Sequence, residues 1–407
     1  MLGTVACCLC CPQPVFSQRL EKSLNGRWEF QRAGAEGGWK RVMLPNSFEE
    51  HEGVDFDGIG TYRKTIAPIK LPEGTRLILH FQAVATHSEV RFDGRLIGTH
   101  LGGWTPFRFD VTELVKGSPS KPHLVQVKVD ERVGHNSQGF LPVFAPHFGG
   151  IWQGVKLMIV PETWIDDLSI LSVGDPKSGQ VRLELPLSNS VNVKEASASV
   201  VVRLRGVGKK EWSEKRTFTA KLSSGKLNFD VPIKDWEFWS PATPNLYELQ
   251  LRLGESFQAE PVDKSWERTV VTTRAAFRTM TIHGDQLLLN DKPVSVRGLL
   301  NWGYAPPRVA PSIDEKHFRS ELELARSYGF NMMKFCLWVP PKRYLEMADE
   351  MGMLTWVEYP TWHSKWTPEQ LPKLRGEFTE FFHYDRNHPS VVLRSLTCET
   401  GPSADLG

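Results

Sequence analysis

The strongest constraint on the fold of this sequence is a change of periodicity near Met280. Before it, short runs of alternating apolar and polar residues are separated by Gly, Pro and Asp. After it, each short apolar run is followed by a longer stretch with helical spacing. The first pattern predicts antiparallel sheet with one buried face, and the second predicts strand–helix units around a parallel sheet. One chain therefore holds two kinds of architecture.

Within the β part, Leu77 to Val84, Ser88 to His100 and Leu124 to Glu131 read as strands, with Asp93-Gly94 as a hairpin turn. A second stretch, from about Glu162 to Phe277, repeats the alternation and carries the two-proline connector WSPATPNLY. Both read as β-sandwiches, the second smaller and immunoglobulin-like. Beyond Met280, Val294 to Asn301 is a predicted strand. The next segment is a helix with Ser312 as N-cap, Phe318, Leu322 and Ala325 on one face, and Gly329 as its stop. NMMKFCLW, LTWVEY and VVLRSLTCE are the following strands, with helices over KRYLEMADEMG and LPKLRGEFTEFFHYD between them. A (β/α)8 barrel takes about 250 residues, whereas residues 280–407 number 128. The expectation is half a barrel, in a fragment of a longer protein.

Composition narrows the function by exclusion. With 49 basic and 47 acidic residues, a net charge of +2 creates no field that would favour nucleic acid or an anionic membrane. No apolar run is long enough to span a bilayer. Four of the six cysteines, Cys7, Cys8, Cys10 and Cys11, crowd the N-terminus, leaving Cys336 and Cys398 for the body, so no disulfide scaffold is expected. The N-terminal cysteines lack a second C-x-x-C or a His pair to complete a zinc site, and no metal or cofactor is expected. That run is read as the remnant of an export leader, which suggests a periplasmic or extracellular protein, a cytoplasmic one being the alternative. HEGVD is not the H-E-x-x-H of a zinc protease, VDFDGIG is not a calcium loop, and G-x-S-x-G, P-loop and G-x-G-x-x-G motifs are absent.

Seven segments, taken in order, resemble family 2 glycoside hydrolases, the group of β-galactosidases, β-glucuronidases and β-mannosidases. They are GIGTYRKTI (58–66), VRFDGRLIGTHLGGWTPFRFDVTELV (90–115), FGGIWQGVKLMIVP (148–161), WSPATPNLYEL, NDKPVSVRGLLNW (290–302), YLEMADEMGMLTWVEYP (344–360) and DRNHPSVVLRSLTCE (385–399). The resemblance implies a jelly-roll sugar-binding sandwich over 19–161 after a leader remnant at 1–18. It also implies an immunoglobulin-like sandwich over 162–278 and the first half of a TIM barrel over 279–407. The implied activity is exo-acting, retaining hydrolysis of a glycoside or oligosaccharide, with self-association left open. The alternative is a degenerate relative, a carbohydrate-binding protein without activity.

Hydrolysis of a glycosidic bond needs two carboxyl groups, and barrel sites form at the carboxyl ends of strands. The resemblance makes Glu399 the acid/base and puts the nucleophile beyond residue 407. Partial burial is expected to raise the Glu399 pKa. Asn301, Trp302, Lys334, Trp338, Glu358 and Cys398 are candidate substrate contacts, and Trp362 and Trp366 a candidate sugar platform. Glu358 is read equally as a structural ion-pair partner, Arg297 as barrel support, and His388 as a turn or packing residue. Two positions depart from the family pattern. Cys398 stands where an Asn is usual, and Lys334 where an Arg is usual, exchanging a planar fork for a point charge.

Overall fold

Alternation in the first β region produces two antiparallel sheets. In chain order the elements are β1 (Leu20–Ser23), β2 (Gly26–Arg32), β3 (Lys40–Leu44), α1 (Glu49–Glu52), β4 (Ile59–Ile66), β5 (Thr75–Phe81) and β6 (His87–Phe92). They continue with β7 (Arg95–Leu101), β8 (Phe107–Asp110), α2 (Thr112–Lys116), β9 (His123–Asp130) and β10 (Val155–Pro161). The sheet orders are β3-β2-β4-β9-β6-β7 and β1-β10-β5-β8. Val125, Val127 and Val129, alternate residues of β9, are fully buried between them with Trp28, Phe30, Leu79 and Phe81. Asp93 and Gly94 both have positive φ, as the two-residue turn between β6 and β7 requires. The computed structural model describes residues 20–132, 148–188, 197–254, 270–361 and 369–399. The segment read as a leader remnant, the four N-terminal cysteines, Trp362 and Trp366 lie outside these ranges.

The second β region comprises β11 (Trp164–Ile165), β12 (Leu171–Asp175), β13 (Gln180–Ser188), β14 (Ser197–Gly206), β15 (Arg216–Ser223), β16 (Lys226–Pro232), β17 (Tyr247–Leu253) and β18 (Val271–Ala275). These strands form one hydrogen-bonded path, β11-β13-β16-β15-β14-β17-β18, with β12 on β13. Val181, Leu183, Val200, Val202, Leu227, Leu249 and Leu251 are fully buried in a common core, so the path encloses its own apolar face. A small sheet of β19 (Met280–His283), β20 (Gln286–Leu289) and β21 (Lys292–Pro293) follows.

The strand–helix half consists of β22 (Gly298–Asn301), α3 (Glu315–Ser327), β23 (Met332–Phe335), α4 (Lys342–Met351), β24 (Leu354–Glu358), α5 (Leu371–Asp385) and β25 (Val391–Ser395). The four strands are parallel and adjacent in chain order. Phe318, Leu322 and Ala325 are buried on α3 as their spacing requires. Its N-cap is Asp314, whose carboxylate accepts from Lys316 N, and not Ser312. The Ser312 hydroxyl accepts from Asp314 N and so holds the cap residue. The first strand is also shorter than expected, starting at Gly298. No helix among the described residues is long and apolar enough to cross a membrane.

The β-rich part is clamped onto the strand–helix half by aromatics from its Gly-rich motifs. Trp104 and Trp152 are buried in one cluster with Phe318, Phe335 and Tyr344, and the two indoles meet edge to face at 5.6 Å between centroids. The connector docks too: Trp239 Nε1 donates to Asp349 O at 2.9 Å, and a Cβ on Gly352 would come within 2.4 Å of Pro241 O. Asp349 in turn accepts from Ser390 N at 2.9 Å and pairs with His388 Nδ1 at 2.6 Å, making His388 the packing residue expected. Arg297 braces β22, donating to Gly329 O at 2.8 Å.

The FGGIW motif has a separate structural reason. Glu49 and Glu131 are 4% and 0% exposed, accepting from Gly149 N at 3.3 Å and Gly58 N at 3.1 Å. A Cβ at Gly149 would meet Glu131 Oε2 at 2.1 Å, and one at Gly150, whose φ is +106°, would meet Tyr62 Oη at 2.6 Å. Only glycine allows this close approach. Burial raises both carboxyls, Glu49 to about 7 and Glu131 further because of the neighbouring Glu49 charge, so the pair holds a proton. An acid with a raised folded-state pKa stabilises the fold below its unfolded value, about 4.5, and loses that contribution as pH rises through the folded value. Unfolding midpoints should therefore fall between about pH 5 and 9, and Glu131→Gln should flatten the decline. An identical pH slope in the variant would remove the pair from this role.

Candidate functional site at the barrel mouth

Side chains alternate across the parallel strands. Met333, Phe335 and Val357 face the helices, whereas Met332, Leu354 and Trp356 lie in a second cluster on the opposite, inner face. Lys334 and Glu358 share that inner face by their spacing from these residues. The register pairs Lys334 with Trp356, and Glu358 with Ser395, bringing the strand ends to one level.

Glu358 is only 2% exposed and sits at the centre of the group. Its Oε2 lies 2.9 Å from Lys334 Nζ, and its Oε1 accepts from Cys336 Sγ at 3.2 Å. The Lys334 ammonium also stands 4.4 Å from the centre of the Trp356 ring, a cation–π contact. Cys398 closes the group: its sulfur, that of Cys336 and a Glu358 oxygen lie within 4.8 Å of one another. The loop carrying Cys398 is tied to the one after β24. Cys398 N donates to Thr361 O at 2.8 Å, and the Thr361 hydroxyl donates back to Leu396 O at 2.5 Å. Trp302 and Cys398 both pack on Cys336 and Leu337.

The electrostatics follow from this packing. Burial pulls the Lys334 ammonium down, but its pairing with Glu358 more than offsets this and raises it. Burial pushes both thiols up, helped by the Glu358 carboxylate; Cys398 reaches about 11 and Cys336 lies higher still. The resting group is a neutral ion pair flanked by two protonated thiols.

Glu399 is placed differently from its expectation. β25 ends at Ser395, and Glu399 lies beyond it with φ +48°, exposed rather than partly buried. A left-handed residue other than Gly, Asn or Asp is uncommon and costs on the order of 1 kcal/mol. It stands next to Cys398, so it borders the group without being enclosed by it.

Two candidates lie outside the group. Asn301 points toward the helix layer, its Oδ1 accepting from Gly303 N at 2.8 Å and its amide nitrogen 3.3 Å from both Glu321 oxygens. Trp338 is buried there as well, against Phe335 and Tyr344, with Nε1 donating to Asn301 O at 2.9 Å. Both hold the first two strand ends together and present no side-chain polar atom to Lys334 or Glu358. Conversely, Cys336 and Trp356 belong to the group and were missed as site residues. The available signal was the two-residue spacing of Cys336 from Lys334 and of Trp356 from Glu358.

A cavity of about 590 Å³ lies in the seam between the β-rich part and α3–α5, lined among others by His80, Arg108, Asp167, Arg274, Glu346 and His383. It shares no lining residue with the barrel mouth.

Two family descriptions match consecutive stretches that together cover more than half of the chain: glycosyl hydrolases family 2 over residues 163–269, and the TIM barrel domain of the same family over 280–406. The chain belongs to glycosyl hydrolase family 2. Relatives within the family include a β-galactosidase of Thermoanaerobacter pseudethanolicus, 26% identical over 92% of this chain and 49% of its own length. A β-glucuronidase of Bacteroides fragilis is 24% identical over 93% of this chain and 56% of its own length. The crystal structure of Bacteroides uniformis β-glucuronidase superposes with a TM-score of 0.75 at 22% identity, over 94% of this chain and 47% of that one. That likeness supports the shared fold, a family 2 TIM-barrel domain preceded by β-rich domains. The chain spans about half the length of the relatives it matches.

The raised Cys398 thiol supplies a test of the geometry. At pH 8 it should alkylate at least roughly 10-fold more slowly than free cysteine, because its thiolate is scarce and the greater nucleophilicity of that thiolate offsets this only in part. Glu358→Gln should speed the reaction by removing the carboxylate that opposes ionisation. Peptide mapping of alkylated protein would show this; a Cys398 rate equal to that of free cysteine would contradict the arrangement.

Proposed function

We propose that the protein containing this chain is an exo-acting, retaining β-glycosidase in which Glu399 is the acid/base. Its β-rich regions are then a jelly-roll sugar-binding sandwich, with core strands of two sheets, and an immunoglobulin-like connector. The observation that carries this reading is the position of Glu399, a carboxyl group just past the fourth of four parallel strands in a family 2 barrel sequence. Strand carboxyl ends are where barrel enzymes assemble their chemistry.

In the proposed reaction Glu399 protonates the leaving oxygen while a second carboxylate attacks the anomeric carbon. Glu399 then deprotonates the water that releases the sugar. Glu358 is held by Lys334 and Cys336, so we assign it to orienting the site rather than to attack. The attacking carboxylate is expected on a later strand, as the family resemblance implies. Lys334, Trp302 and Cys398 are the proposed sugar contacts on this chain; the Lys334 ammonium has donors beyond the one facing Glu358, whereas a thiol at 398 gives a hydroxyl only a weak partner.

The exposure of Glu399 and the thiol at 398 favour a second reading, a carbohydrate-binding relative without turnover. Hydrolysis of aryl β-galactosides and β-glucuronides by the whole protein separates the two. Glu399→Gln should lower turnover by roughly 10²- to 10⁴-fold, the usual contribution of a general acid/base. Equal turnover by the variant would remove Glu399 from the mechanism. Sugar binding with no hydrolysis by the unsubstituted protein would establish the second reading.

A further inference from the structure

Three soft or anionic donors from three separate strand ends converge at the barrel mouth. Cys336 follows β23, Glu358 ends β24, and Cys398 lies in the loop after β25. No local motif announces them, because the parallel register alone brings them together. Their donor atoms lie within 4.8 Å of one another, and Cys336 Sγ is already 3.2 Å from Glu358 Oε1. Around a tetrahedral zinc with bonds of about 2.3 Å to sulfur and 2.0 Å to oxygen, ligand atoms stand about 3.5–3.8 Å apart. The group therefore needs only side-chain adjustment to close on such an ion.

The Glu358 carboxylate is divided in a way that suits this use. Oε2 is engaged by Lys334 while Oε1 accepts from the Cys336 thiol. An ion bound on the Oε1 side would leave the Lys334 pair in place. Charge also balances. The resting group carries one ammonium and one carboxylate; adding a divalent cation while both thiols release their protons to solvent adds two positive and two negative charges. Two thiolates in the set select a thiophilic ion over calcium or magnesium.

We propose that Cys336, Glu358 and Cys398 form a binding site for one thiophilic divalent cation of the zinc class at the mouth of the barrel. Three protein ligands leave a position for water or a sugar hydroxyl, the arrangement of an open rather than a closed site. Cation binding at this site does not depend on glycosidase activity.

The test is titration of the reduced full chain with zinc against a chromophoric chelator, and with cadmium followed by its thiolate charge-transfer absorption. Both are done with Cys7, Cys8, Cys10 and Cys11 changed to Ser so that they contribute nothing. The expected result is one cation per chain, bound with loss of two titratable thiols. Cys398→Ser and Cys336→Ser should each weaken binding by more than roughly 100-fold, beyond what loss of an outer-shell contact costs. Cys336 is buried and its variant can misfold; Cys398 is in a half-buried loop, so Cys398→Ser with an unchanged unfolding midpoint carries the test. Absence of cadmium–thiolate absorption, or equal affinity in Cys398→Ser, would overturn the proposal.

Discussion

A carboxylate buried as deeply as Glu358 must be compensated within hydrogen-bonding distance, since an unpaired buried charge costs several kcal/mol. The compensation sets the composition of the barrel mouth. Lys334 supplies the charge from the neighbouring strand, and Cys336 supplies a donor that keeps its proton because burial, and after it the carboxylate, opposes its ionisation. Trp356 lies beneath the ammonium and Trp302 packs against Cys336 and Leu337, limiting water at the pair. Glu399, one residue after Cys398, follows a loop that is tied through Cys398 and Leu396 to Thr361, three residues beyond Glu358.

The same strand ends are held from behind by the β-rich regions. Trp104 and Trp152, in motifs that the family resemblance assigns to a sugar-binding domain, are buried against α3 and α4. Their work in this chain is docking. α5 reaches the β-rich part through Glu380, which takes bonds from His100 and Thr105 at 2.9 and 2.6 Å, and the turn after α5 does so through Asn387, which accepts from Ser172 N at 2.9 Å. Helix, connector and strand end are thus linked through packed contacts, and Asp349 joins the connector to the turn before β25.

What was legible in the sequence was periodic. The buried valines of β9, the apolar face of α3 and the Asp93-Gly94 turn follow from local spacing, and the structure has each of them. The side on which Asn301 and Trp338 project was not legible. A strand's side-chain period is two, so a one-residue uncertainty at its end reverses the face. The same uncertainty put Glu399 at the end of β25 rather than in the loop beyond it. Cys336 was missed because its partners are far along the chain, and the continuous strand path of the second β region could not be told from two separate sheets by alternation alone.

The central claim, that the Lys334–Glu358 pair organises this mouth, is tested most directly by a double-mutant cycle on unfolding free energy with Lys334→Met, Glu358→Gln and both together. The account predicts that each single change leaves an uncompensated partner and costs on the order of 2 kcal/mol or more. The double variant should then cost clearly less than the sum of the two. Additive losses would contradict it, because they would mean that the two side chains do not depend on each other.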